Sequence, residues 1–91
     1  PTAVNETSVS MTDIPKLEQI IGEFLDKHEG GIVVLEGLET LTNYNPLEMV
    51  TGLVKSIKEK VVQKKATAYF LFLPNVMTED ATLEIRNLFS D

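Results

Sequence analysis

The chain has no cysteine, and that single absence removes disulfides, thiolate metal sites and cysteine nucleophiles together. It fits a reducing cytoplasm, where the protein is expected to reside. No apolar stretch approaches the roughly 20 residues needed to span a bilayer, and nothing near Pro1 reads as a signal peptide. Positive charge is scarce as well. Eight Lys and Arg against 14 Asp and Glu leave a net charge of −6, which argues against nucleic acid as a partner because non-specific binding needs a basic surface. A membrane surface is not expected as a partner either. The one histidine, His28, has no cysteine or second histidine to work with, so it is read as a cation near a helix C-terminus and not as a ligand or catalyst.

What is present is enough for one small domain. At 91 residues with 43% hydrophobic content the chain is expected to fold, with thin stability margins. It begins with Pro1 and not methionine, so it is expected to be processed or a piece of something longer. Residues 1–10 are polar and aperiodic, and read as a lead-in or tag remnant with at most a short edge strand around Thr7-Ser8-Val9-Ser10-Met11. Residues 11–91 read as the domain.

Two nearly continuous apolar runs, Ile32-Val33-Val34-Leu35 and Tyr69-Phe70-Leu71-Phe72-Leu73, dominate the domain. Neither alternates apolar with polar, which is the habit of strands buried on both faces in a parallel sheet. The first is expected over Gly31 to Glu36 and the second over Thr67 to Leu73, stopped by Pro74-Asn75. Around them three helices are expected. The first starts near Pro15, with Thr12 and Asp13 as candidate caps; its apolar face is Leu17, Ile20, Ile21, Phe24 and Leu25, and Gly30-Gly31 ends it. The second opens with Asn45 as N-cap, Pro46 at the first helical position and Glu48 as a capping-box acid, flanked by Tyr44 and Met49. It buries Leu47, Val50, Leu53, Val54, Ile57 and Val61, interrupted by Gly52. The third is capped by Thr78 and carries Ala81, Ile85, Leu88 and Phe89. Leu38 to Tyr44 reads as a connection.

The fold class is therefore α/β: a three-layer α-β-α-β-α unit with a small parallel sheet built on one right-handed βαβ crossover, completed by an N-terminal strand or by a partner chain. The second helix is placed on one sheet face, and the first and third on the other.

Ligands in such sheets bind beyond the C-terminal strand ends. That edge carries Glu36, Glu39 and Asn43, the candidate ligand residues, with Asn45, Asn75, Thr78, Glu79 and Asp80 nearby. An apolar strand ending in an acid resembles the Walker B element of RecA-like and KaiC-like ATPases. The glycine-rich loop with Lys-Ser/Thr that would cradle phosphates is absent, since Gly30-Gly31 runs straight into Ile32. A carboxylate metal site from Glu36, Glu39 and Glu79 or Asp80 matches no loop spacing and is read as solvated or capping acids. Thr40, Thr42, Thr51, Ser56 and Ser90 have no base beside them for nucleophilic catalysis. Met49, Tyr69, Phe70 and Phe72 read as core and not as a platform for stacking bases. The lysines Lys55, Lys58, Lys60, Lys64 and Lys65 read first as a solvated face, and otherwise as a basic stripe for an acidic partner or a second copy.

The segment Ile32-Val33-Val34-Leu35-Glu36-Gly37-Leu38-Glu39-Thr40-Leu41-Thr42-Asn43-Tyr44-Asn45 resembles the strand-loop element of an archaeal domain family of unknown function. That pattern is an apolar strand, then acid-Gly-Leu-Glu-Tyr-Leu and an asparagine. The resemblance extends over most of residues 11 to 89, with Glu36 where aspartate is usual and Thr40 where an aromatic is usual. It implies a degenerate RecA/KaiC-like core, of which this chain resembles the C-terminal half, without a phosphate loop, often found beside PAS or GAF sensor modules. The expectation is a non-enzymatic protein-interaction or dimerisation module in archaeal signal transduction, as a homodimer or on a partner domain, with no cofactor. Its candidate association surface is Leu41, Tyr44 and Met49. The alternative is a degenerate nucleotide- or small-ligand-binding domain using the acidic strand-end edge.

Overall fold

The computed structural model describes residues 13–89. The expected lead-in and its optional strand lie outside them, as does Ser90. Helix α1 (Ile14–Lys27) starts where Asp13 accepts the Lys16 amide at 3.1 Å, with Pro15 in the first turn. Ile14, Leu17, Ile21 and Leu25 recur at three- and four-residue steps, so they share one face, and all four are buried. Strand β1 (Ile32–Glu36) follows, then α2 (Leu38–Tyr44), α3 (Leu47–Gln63), β2 (Thr67–Leu71), a 3₁₀ turn (Pro74–Val76) and α4 (Glu79–Asn87).

The two strands pair in parallel, from Ile32 opposite Thr67 to Glu36 opposite Leu71. A parallel pair cannot close through a hairpin, so α2 and α3 form the crossover. The α3 helix is the hub: α1, α2, α4 and β2 all pack on it. Its stripe Val50, Leu53, Val54 and Ile57 is buried as the period predicts. Thr78 caps α4 by accepting the Ala81 amide at 3.1 Å, and Ala81 and Ile85 face inward.

Three features depart from the sequence pattern. The segment Leu38–Tyr44 is a helix and not a plain connection: Gly37 takes the left-handed conformation (φ 81°) at its start and Leu38 and Leu41 are buried. Asn45 does not cap α3. Its Nδ2 donates to the Leu41 carbonyl at 3.2 Å, which closes α2, and Pro46 occupies the N-cap of α3 without a side-chain bond. Asn45 is extended, as the residue before a proline must usually be. An asparagine serves either helix end, and here the preceding carbonyls claim it.

The third departure matters most. The α/β class and the parallel crossover are as expected, but among the described residues only one sheet face is covered. Val33 and Leu35 are buried, and Ala68 and Phe70 pack on the core beside them. On the other face Ile32, Val34, Tyr69 and Leu71 stand exposed. Exposure alternates along both strands although hydrophobicity does not.

The interior glycines of the helices have no packing reason. A Cβ at Gly22 or at Gly52 would meet nothing within 4 Å, so close backbone approach does not explain Gly52. Gly22→Ala and Gly52→Ala are each expected to raise stability by about 1 kcal/mol in urea titrations, because alanine is the better helix residue.

Candidate functional site

The strand-end edge is built by a tight turn. β1 ends at Glu36, Gly37 reverses the chain and α2 begins, so Glu36 and Glu39 stand on either side of one glycine. Both line a shallow groove with Gly37, Leu71, Phe72 and Leu73, whereas Asn43 is exposed on α2 outside it. Glu39 has a structural task. Its Oε1 accepts the Leu73 amide at 3.0 Å and ties the end of β2 to the first turn of α2. The sequence gives no hint of this bond, which spans 34 positions.

Chemically the groove offers two carboxylates and apolar surface. A phosphate placed there would meet no lysine or arginine among its lining residues. Among the described residues no three Asp, Glu or His side chains come together as a metal site, so Glu36, Glu39, Glu79 and Asp80 do not form one set. The hydroxyls of Thr42 and Thr51 donate back to the carbonyls of Glu39 and Glu48, the usual local habit of threonine in a helix. Ser56 lines a cleft between α1 and α3. His28 stacks on Phe24, with ring centroids 4.7 Å apart.

The lysine cluster is partly spent within the fold. Lys60 and Lys64 reach Asp26 at 2.9 and 3.4 Å, and Lys58 donates to the Leu88 carbonyl while lying 5.5 Å from the centre of the Phe89 ring. Lys55 and Lys65 are left in solvent. The Lys60 hydrogen bond, helped by Lys64, holds the Asp26 carboxyl below its ordinary range. A carboxylate with a lowered folded-state pKa adds stability above its unfolded value and loses it as pH falls through the folded one. Asp26→Asn is therefore expected to be less stable than the parent near neutrality, with the difference vanishing in acid, as followed by melting at a series of pH values.

The three residues expected to form an association surface separate. Leu41 is 0% exposed and belongs to the core, so it presents no surface. Tyr44 and Met49 are exposed, at 70% and 41%. The larger apolar surface is the open sheet face. Ile32, Val34, Tyr69 and Leu71 line it at the two-residue step that puts alternate side chains on one face, and exposed Leu73 follows just beyond β2. Tyr69, read as core from its run, is 55% exposed, whereas Phe70 and Phe72 do pack on the core. No sequence signal separates them, because both parities of the run are apolar.

Among the described residues the fold and these surfaces define a small α/β unit with a single covered sheet face, and no helix is long and apolar enough to cross a membrane. The chain belongs to the family described as "Protein of unknown function (DUF835)", which matches residues 2–89. No curated protein and no solved structure matches it.

Proposed function

We propose that this chain is a non-catalytic protein-association module whose contact surface is the open face of its sheet. The observation that carries this reading is the contiguous apolar patch of Ile32, Val34, Tyr69, Leu71 and Leu73. Contiguous apolar surface of this kind marks interaction sites, whereas scattered single residues do not. A place in archaeal signal transduction, in the cytoplasm and beside PAS or GAF sensor modules, follows from the family resemblance of the Ile32–Asn45 segment. So does descent from a RecA/KaiC-like core.

The rival is a ligand site at the Glu36 edge, and one comparison separates the two. Magnesium-ATP and common phosphodonors are expected to leave the melting temperature of the chain unchanged, since a ligand of the native state must raise it. Val34→Lys with Tyr69→Lys is expected to preserve the fold and to abolish binding of a hydrophobic dye. A melting shift that Glu36→Gln cancels, or dye binding indifferent to the two lysines, would overturn the association reading.

A further inference from the structure

We draw no further inference here: the strongest candidate, the open apolar face of the two-stranded sheet lined by Ile32, Val34, Tyr69 and Leu71, carries nothing beyond the association reading, because nothing in the structure shows what covers it.

Discussion

Leu41→Ala is expected to remove about 2–5 kcal/mol of folding stability, the range for truncating a fully buried leucine when the surroundings close only partly over the cavity. Leu41 sits at the middle of α2, is wholly out of contact with water and belongs to the same core cluster as Leu38, Val50 and Leu53. A domain this small holds only about 5–10 kcal/mol in reserve, so the variant loses a large share of it and should unfold at a clearly lower urea concentration. Urea denaturation followed by circular dichroism reads the effect directly. Tyr44→Ala and Met49→Ala, from the same stretch of sequence, should stay within about 0.5 kcal/mol of the parent because both side chains are exposed. A Leu41→Ala protein as stable as those two would remove α2 from the core.

The second large effect is expected at Gly31. A Cβ there would lie 2.9 Å from the His28 carbonyl oxygen and 2.9 Å from Cε2 of Phe24. The ring could turn aside, but the carbonyl is fixed, since it accepts the Gly31 amide at 2.9 Å and belongs to the close of α1. Gly31 also accepts the Thr67 amide at 2.9 Å, so the same residue anchors the start of β2. Gly31→Ala should therefore destabilise by about 1–3 kcal/mol, the ordinary penalty for forcing a methyl group into occupied space. The same chemical change at Gly22 and Gly52 is expected to stabilise. Opposite signs for one substitution type, measured in one urea series, would separate packing from helix propensity within a single protein.

Local chemistry was the legible part of this sequence. Asp13 and Thr78 cap the helices they precede, whereas Asn45, with a helix on either side of it, is taken by the carbonyl of the one before. The stripes of α1 and α3 were legible as well. Leu38–Tyr44 was not, because seven residues are too few to establish a helical period, and its start depends on the backbone conformation of Gly37. The strand faces were illegible in principle. When every residue of a run is apolar, which parity meets helices is decided by how many elements are available to cover the sheet. The candidate ligand edge was half legible: Glu36 and Glu39 do share a groove, but the attachment of Glu39 to the Leu73 amide depends on where β2 ends in space.

The parallel register also governs how this chain must fold. Every residue of β1 finds its partner beyond α2 and α3, so no part of the sheet can form from neighbouring residues. The loop between the strands has to be organised first, and its closure entropy is met before any ladder bond is made. Helix α3 supplies that organisation because both α1 and β2 dock on it. Docking pairs only the inner edges: among the described residues both strands keep an open outer edge in the finished sheet, so the site where another chain's strand could add is present before assembly and after it.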